Sequence, residues 1–126
     1  MADEKFEKGR QLTNQMFGKE LSDRLIESAT DFSKPVMEYA MNVCFGDVWQ
    51  RPGLDPKTRS MLTLAMLTAL GQQNQIKVHI RGAIGNGVSR EEIREILVHS
   101  IVYCGLPRAV DAFASAGEVL KELDQE

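Results

Sequence analysis

The chain has 126 residues and an even composition, which suits a single domain long enough to bury a core unaided. Apolar residues make up 43% and charged residues 26%, so a disordered or fibrous chain is excluded. The formal net charge of −3 gives the chain no overall basic surface, and no nucleic-acid partner is expected. The longest apolar-rich run, Met61 to Leu70, is about half the length of a transmembrane helix, so no membrane association is expected either.

The start of the chain is polar and has no apolar signal core. Two cysteines, Cys44 and Cys104, are too few for a disulfide scaffold, which favours reduced thiols in a cytoplasmic protein. Both cysteines continue apolar helical stripes and are expected to be small core residues.

The N-terminal quarter is predicted to be polar, helical and weakly amphipathic. Residues 3–17 and roughly 19–30 should form one or two helices, part of which we expect to pack on another subunit or to fray. We interpret 1–126 as a single domain, with an N-terminal helical arm over 1–32 and a motif-bearing core over about 33–120.

The next helix has clear signals at both ends. Ser33 is placed to cap it, and Pro35 falls in its first turn, where the missing N–H is tolerated. The helix should stop near Gly46. The loop that follows, GDVWQRPG, contains the single tryptophan, Trp49, and also Arg51.

Asp55 followed by Pro56 predicts the start of a helix over 56–70 that ends at Gly71. The second half of this helix, MLTLAMLTAL, is apolar all round apart from two threonines. A helix without a polar face must be surrounded, and a domain of this size can hardly enclose it alone. We therefore expect a central helix that another subunit partly covers.

The rest of the chain also reads as helices with short connections. Gly87 supplies a left-handed residue after one helix, and Ser89 with Glu92 forms a capping box for the next. These helices are predicted over about 74–86, 90–104 and about 108–123. The fold class is therefore all-α, a bundle of about six helices.

The sequence contains none of the common cofactor motifs. It has no phosphate-binding glycine loop, no dinucleotide fingerprint and no HExxH, and two histidines with two distant cysteines make a poor metal set. We expect no cofactor and no metal.

His79 lies on a polar strip that borders the apolar side of its helix. A histidine at such an edge can sit in a half-buried cleft and transfer a proton near neutral pH, although a hydrogen-bonded packing histidine is the commoner case. Helical spacing gives the strip as Gln72, Gln75, His79, Gly82 and Asn86.

His99 lies on a second strip, with Glu95 and Tyr103 each four residues away. Glu95 could orient or protonate the ring. The alternative is a helix-surface pair that contributes a few tenths of a kcal/mol, on the order of 0.3.

Two arginines are candidates for binding a carboxylate, which the planar guanidinium grips with two parallel hydrogen bonds. Arg51 stands beside Trp49 in a loop, where binding residues concentrate. Arg81 is two positions from His79 and so points some 200° away around the helix. A solvated surface role for Arg81 and a salt bridge for Arg59 are the structural alternatives.

The run from Asp47 to Phe113 resembles the carboxymuconolactone decarboxylase family. The resemblance is carried by DVWQRPGLDPKTRSMLTLAMLTALG and then by HIRGAIGNGVSREEIREILVHSIVYCGLPRAVDAF, in order and with similar spacing. It implies an all-α, alkylhydroperoxidase D-like fold that assembles into homo-oligomers, trimers or hexamers, with sites near subunit contacts.

The resemblance also distinguishes two branches of the family. The alkylhydroperoxidase-like branch carries C-x-x-C-x-x-x-H with a glutamate one helix earlier. Here the matching positions are Gln72, Gln75 and His79, with Ser60 at the glutamate position, so dithiol peroxidase chemistry is excluded. The decarboxylase branch matches through W-x-R-P-G-L-D, K-T-R-S, H-x-R and N-G-x-x-R-E-E-I.

The decarboxylase branch implies His79 as the catalytic residue and Arg51 and Arg81 as substrate-binding residues. Trp49 would contribute an apolar surround, with His99 and Tyr103 as further substrate-binding candidates. The implied substrate is a small-molecule lactone carboxylate, 4-carboxymuconolactone of protocatechuate catabolism, and the implied product is 3-oxoadipate enol-lactone. The substrate's own conjugation accepts the electrons that CO2 leaves behind, so no cofactor is needed.

Two other functions remain open. Val110 and Asp111 stand where the decarboxylases often have an asparagine, which favours a related small-acid or lactone lyase with another substrate. A non-catalytic oligomeric binding or stress protein on the same fold is the third possibility.

Overall fold

The computed structural model describes residues 2–126, and every regular element in that range is helical. This confirms the all-α fold class, and none of these helices is both long and apolar enough to cross a membrane. The α-helices are α1 (Ala2–Phe17), α2 (Lys19–Glu27), α3 (Lys34–Tyr39), α4 (Pro56–Leu70), α5 (Gln73–Gly85), α6 (Arg90–Cys104) and α7 (Leu106–Asp124). A π-helical turn (Ala40–Cys44) and a 3₁₀ turn (Val48–Gln50) complete the description.

The described chain divides into two compact units, which meet at Pro56 in the sequence. In the first, α1 packs along both α2 and the π-helical turn. Gly9 and Gly46 permit this approach, because a Cβ at Gly9 would collide with the carbonyl of Met41 and one at Gly46 with the carbonyl of Lys5. The predicted N-terminal arm is thus part of the packing of this unit. The single-domain interpretation stays a prediction.

Thr30 caps the segment before α3. Ser33 precedes α3 as predicted, but its side chain makes no hydrogen bond to the helix. Instead the Ser33 Oγ accepts from the Thr30 N–H at 2.9 Å, and the Ser33 N–H donates to the Thr30 Oγ1 at 3.2 Å. Ser33 thus holds the predicted N-cap position of α3, whereas its side chain is engaged by this reciprocal pair with Thr30, one turn earlier.

The helix that was expected to run to Gly46 changes its winding before that residue. The α-helical part ends at Tyr39, and the backbone continues as a π-helical turn in which the Phe45 N–H donates to the Ala40 carbonyl at 2.9 Å. Single π turns are frequent at functional sites. Here the turn precedes the loop that contains Trp49 and Arg51.

The second unit, 57–126, is built around one apolar core. Only one side of α4 is fully buried, through Ser60, Leu64 and Thr68, and Thr68 satisfies its hydroxyl on the Leu64 carbonyl at 2.7 Å. The core joins this side to α5, α6 and α7. Its fully buried members are Leu64, Ile76, Ile80, Ala83, Val88, Ile93, Leu97, Ala112, Ala116 and Val119.

Several apolar side chains of α4 are exposed in the part of the chain that the structure describes. Leu62, Met66 and Leu70 are 43%, 61% and 66% exposed. The described residues of the second unit therefore do not enclose their most apolar helix on all sides, as the composition of that helix predicted.

The junctions of the second unit follow the predicted signals closely. Gly71 and Gly87 have φ values of +71° and +92°, and the Ser89–Glu92 capping box is present in both directions. α7 begins at Leu106, two residues before the predicted start, because Pro107 is accommodated in its first turn instead of preceding it.

Candidate active-site residues

His79 lies on α5 beside the fully buried Ile76 and Ile80. The side chain is half-buried, and its Nδ1 atom is inaccessible to solvent. Burial disfavours the charged imidazolium and lowers the pKa of His79 from 6.5 to about 4. At neutral pH the ring is therefore uncharged, with one nitrogen able to donate a hydrogen bond and the other able to accept one.

The helical strip that contains His79 is only partly exposed to solvent. Gln72 and Gln75 are exposed, whereas Gly82 is buried. At the end of α5, the Asn86 Nδ2 donates to the Oγ of the fully buried Ser60 at 3.0 Å. Ser60, which the family comparison placed at a glutamate position, therefore links α4 to the end of α5.

Arg81 faces α7. Its guanidinium donates to the Glu126 carboxylate at 2.8 Å and to the Glu122 carboxylate at 3.1 Å, and these bonds, that to Glu126 foremost, raise the pKa of Arg81. Lys77, one turn earlier, pairs with Glu118 at 3.0 Å. This ladder was not expected from the sequence, although the spacing of Glu118, Glu122 and Glu126 at i, i+4 and i+8, on α7 and just after its end, could have indicated it.

His99 and Tyr103 are brought together on the exposed side of α6, with ring centroids 5.0 Å apart. His99 lines a groove of about 800 Å³ between α4 and α6. The walls of the groove are apolar, and the rim at one end carries Glu91, Glu92 and Glu95. This acidic rim disfavours an anionic ligand.

Arg51 and Trp49 belong to the first unit. Trp49 is half-buried and packs against Phe45 with ring centroids 5.6 Å apart. Arg51 is exposed and lines a pocket of about 270 Å³ with two lysines and two carboxylates. The pocket contains Glu4, Lys5, Lys8, Asp47 and Arg51, which together carry one excess positive charge.

The cysteines are not core residues. Cys44 and Cys104 are both free thiols and only half-buried, because the π-helical turn and the end of α6 bring them toward the surface. Across residues 2–126, no three side chains of the His, Cys, Asp and Glu types are grouped closely enough to hold a metal ion.

A model of the carboxymuconolactone decarboxylase family matches residues 34–118. The chain belongs to this family. The match begins at the first residue of α3 and ends within α7, so it includes His79, both candidate arginines and the α4–α6 groove. Family membership confirms the resemblance that the sequence motifs indicated.

Two relatives of this carboxymuconolactone decarboxylase family protein have named activities. The 4-carboxymuconolactone decarboxylase of Acinetobacter baylyi is 33% identical over 121 residues, which cover 96% of this chain and 90% of that protein. The nitrosuccinic acid decarboxylase npaB of Metarhizium robertsii is 36% identical over 118 residues, covering 94% of this chain and 82% of that protein. Both relatives are decarboxylases, and their names give different substrates.

A third relative carries no activity in its name. The uncharacterized 15.0 kDa protein of Paracoccus denitrificans is 33% identical over 88 residues, or 68% of this chain and 66% of that protein. The family of this chain is therefore established, whereas its two relatives with named activities differ in substrate.

Proposed function

We propose that this protein is a cofactor-independent carboxy-lyase that acts on a small carboxylic acid able to accept the electrons of its own decarboxylation. Family membership and two decarboxylase relatives, each matching over nine-tenths of the chain, support the reaction class. The two free, half-buried cysteines suit a cytoplasmic location.

The two substrates named by the relatives share one chemical property. In 4-carboxymuconolactone, the bond to the leaving carboxylate breaks and its electron pair delocalises through the ring double bond to the lactone carbonyl, before a proton adds at the α carbon. In nitrosuccinic acid, the nitro group beside a carboxyl can accept the electron pair in the same way. An enzyme for either acid must bind the carboxylates, stabilise the developing oxyanion and supply a proton.

The observation that carries this proposal is the half-buried, uncharged His79. A neutral imidazole N–H donates a hydrogen bond to a developing oxyanion, and removing one such donor typically raises the barrier by about 3–4 kcal/mol. Because Nδ1 is inaccessible to solvent, both roles belong to Nε2: its N–H holds the oxyanion, and this proton then passes to carbon and is replaced by a proton from solvent, so that His79 serves as donor and acid in turn. The lowered pKa of about 4 is in keeping with this order, because the ring begins the cycle uncharged at neutral pH.

Arg51 is the preferred carboxylate-binding residue of the first unit. Its pocket has one excess positive charge, and Trp49 lies two residues earlier, in the 3₁₀ turn that Arg51 follows. Arg81 is the weaker candidate, because a substrate carboxylate would have to displace Glu122 and Glu126. His99 and Tyr103 stay candidates for contacts to an uncharged part of a substrate, since the rim of their groove is acidic.

We further propose 4-carboxymuconolactone as the first substrate to test, which would place the enzyme in protocatechuate catabolism. The motifs W-x-R-P-G-L-D and H-x-R support it, as does the relative that is matched over 90% of its length. Nitrosuccinic acid is the second candidate, because the relative named for it is 36% identical.

The decisive experiment is an ultraviolet assay of the purified protein with each acid. The lactone is generated in place by the preceding cycloisomerase, and loss of its absorbance is followed together with CO2 release. Turnover of the lactone supports 4-carboxymuconolactone as the substrate. Turnover of nitrosuccinic acid alone supports nitrosuccinic acid instead. If neither acid nor related small lactone acids lose CO2, the catalytic proposal is wrong and a binding protein on the same fold replaces it.

The protein is also expected to act as a homo-oligomer, a trimer or a hexamer. The apolar side chains that α4 leaves exposed support self-association, since monomeric proteins seldom expose contiguous apolar patches of this kind.

A further inference from the structure

A small crevice lies between α6 and α7, away from the residues proposed for the active site. The two helices are joined by Gly105 and pack antiparallel, since Arg90 at the start of α6 bonds to Asp124 at the end of α7. The crevice has a volume of about 230 Å³, and Arg90 and Arg94 contribute the charged part of its lining. The remainder of the lining is apolar or small and consists of Ile93, Leu97, Phe113, Ala116, Gly117 and Leu120.

Gly117 provides the hollow on the α7 side of the crevice. Apart from the adjacent backbone of its own helix, no atom lies within 4 Å of the position that a Cβ would take there. The φ angle of Gly117 is not positive, so the backbone does not require glycine, and glycine within a helix is destabilising relative to alanine. What this residue supplies is therefore open space.

The size and lining of the crevice suit one six-membered ring. A cavity of about 150 Å³ with an aliphatic and aromatic lining is sufficient for benzene in another protein. At about 230 Å³, the crevice has room for such a ring and one small substituent. Phe113, which is 38% exposed, offers the ring an aromatic neighbour.

The two arginines of the crevice differ in what they bind. The Arg90 guanidinium donates to the Asp124 carboxylate at 2.6 Å and to the Leu120 carbonyl at 3.4 Å. Arg94 is exposed and has no hydrogen-bond or ion-pair partner within residues 2–126. Arg90, Arg94 and Asp124 together carry one excess positive charge, so the crevice has one guanidinium available for one anionic group.

We propose that this crevice binds a small aromatic monocarboxylate, with its ring between α6 and α7 and its carboxylate on Arg94. The planar guanidinium can grip both carboxylate oxygens with parallel hydrogen bonds, while the apolar lining covers the ring. Neither acid named by the relatives has this chemistry, because each carries two carboxylates and no aromatic ring. The site therefore lies outside the proposed decarboxylation and does not depend on it.

The first test is equilibrium dialysis of the full chain against labelled benzoate, with benzamide as the uncharged ligand of the same shape. Benzoate is expected to bind with a Kd of about 0.1–1 mM, as suits a ligand of one ring. Benzamide should bind at least about tenfold more weakly, because it lacks the charge that Arg94 recognises. Absence of benzoate binding, or equal binding of the two ligands, overturns the proposal.

The second test fills the crevice. Gly117→Leu should weaken benzoate binding at least about tenfold while the protein stays folded, since leucine favours a helix more than glycine does. Ala114→Leu is the matched control, because Ala114 is exposed on the same helix but is not part of the lining, and it should keep Kd within about twofold. Circular dichroism checks the fold of both variants. Benzoate binding that is unchanged in Gly117→Leu shows that the ligand lies elsewhere and refutes the site.

The third test removes the available charge. Arg94→Gln should weaken benzoate binding at least about tenfold and leave benzamide binding unchanged. Arg108→Gln is the control, since Arg108 is an exposed arginine of α7 outside the crevice. Full benzoate affinity in Arg94→Gln contradicts the proposed contact.

Two further measurements separate this site from the active site and from a subunit contact. His79→Gln should bind benzoate as the parent does, and a parallel loss of binding would instead assign benzoate to the proposed active site. Light scattering gives the mass of the Gly117→Leu protein, which should equal that of the parent. If its mass falls and benzoate does not bind the parent, a second copy of the chain covers the crevice and the proposal is wrong.

Discussion

The two histidines of the second unit lie on successive helices but in opposite environments. His79 on α5 adjoins the core, and burial lowers its pKa to about 4. His99 on α6 is exposed, stacks near Tyr103 and borders an apolar groove with an acidic rim. His79 is thus suited to proton transfer, because burial keeps its ring uncharged at neutral pH, whereas the exposed His99 is placed for surface contact.

The contrast between His79 and His99 indicates that different helices of the second unit serve different functions. α5 carries the histidine that we propose for chemistry, whereas α4 exposes the apolar side chains that support association. The capping box fixes the start of α6, and the core residues beside His79 hold α5 in place. Variants at the two histidines should therefore change different measurements.

The largest effect is expected for His79→Gln. Loss of the proton-transferring group should lower kcat on the accepted acid by about 10²–10⁴-fold, while the far-ultraviolet circular dichroism spectrum stays unchanged. His99→Gln is the matched control and should keep kcat within about threefold of the parent, because a contact residue changes KM or assembly rather than the chemical step. If the His79→Gln variant decarboxylates the acid at the parent rate, His79 is not a catalytic residue.

The next effect concerns the dependence of stability on pH. His79 has a pKa of about 4 in the folded chain and about 6.5 when unfolded, so between these values the unfolded chain binds more protons. His79 should therefore leave stability unaffected above pH 6.5 and lower it by about 1.4 kcal/mol per pH unit as the pH falls toward 4. Urea unfolding of the parent and of His79→Gln at pH 7 and pH 5 measures the difference, which cancels the contributions of the carboxylates. Equal slopes for both proteins would show that the folded ring is not desolvated.

The corresponding test of the first unit is Arg51→Lys. A lysine keeps the charge but loses the two-pronged geometry, so KM should rise about tenfold with kcat little changed. Arg24→Lys on α2 is the control, since Arg24 is exposed and pairs only along its own helix, with Glu20 at 3.1 Å. An unchanged KM in the Arg51 variant assigns that arginine to a structural role.

The smallest effect is expected at the start of α6. Ser89→Ala removes the side-chain bond to the Glu92 N–H and should lower the free energy of unfolding by about 1 kcal/mol. The value of kcat should be retained, because His79 lies on α5 and not on α6. Ser28→Ala, at an exposed position after α2, should change stability by less than about 0.5 kcal/mol. A Ser89→Ala protein as stable as the parent would mean that the capping box contributes little.

Helix positions were largely predictable because their end signals are local. Asp55-Pro56, Gly71, Gly87 and the Ser89–Glu92 box each act through one or two turns of backbone, and the structure places helix ends at all of them. Ser33 holds the predicted N-cap position, but its side chain bonds to Thr30, three residues earlier, which offers the same chemistry. The winding change at Ala40 has no local signal of its own.

The sequence predicted which side chains are candidates for the site, but it did not predict what surrounds each of them. The sequence indicated His79 at the edge of an apolar stripe, but only the packing of α5 shows that its ring is half-buried and uncharged. Arg81 was recognised as a carboxylate-binding side chain, and the carboxylates that it binds in the structure are those of Glu122 on α7 and Glu126 just after it. Partners distant in sequence are fixed by how helices pack, which no spacing within one helix reveals.

By itself, then, the sequence determined the all-α class, the family, most helix ends and the residues able to do chemistry. Only the tertiary structure decided which face of α4 is buried, what Arg81 binds and how strongly burial disfavours charge on His79. Capping and apolar periodicity act over a few residues, whereas burial and ion pairing depend on segments that are brought together from more than 40 positions apart.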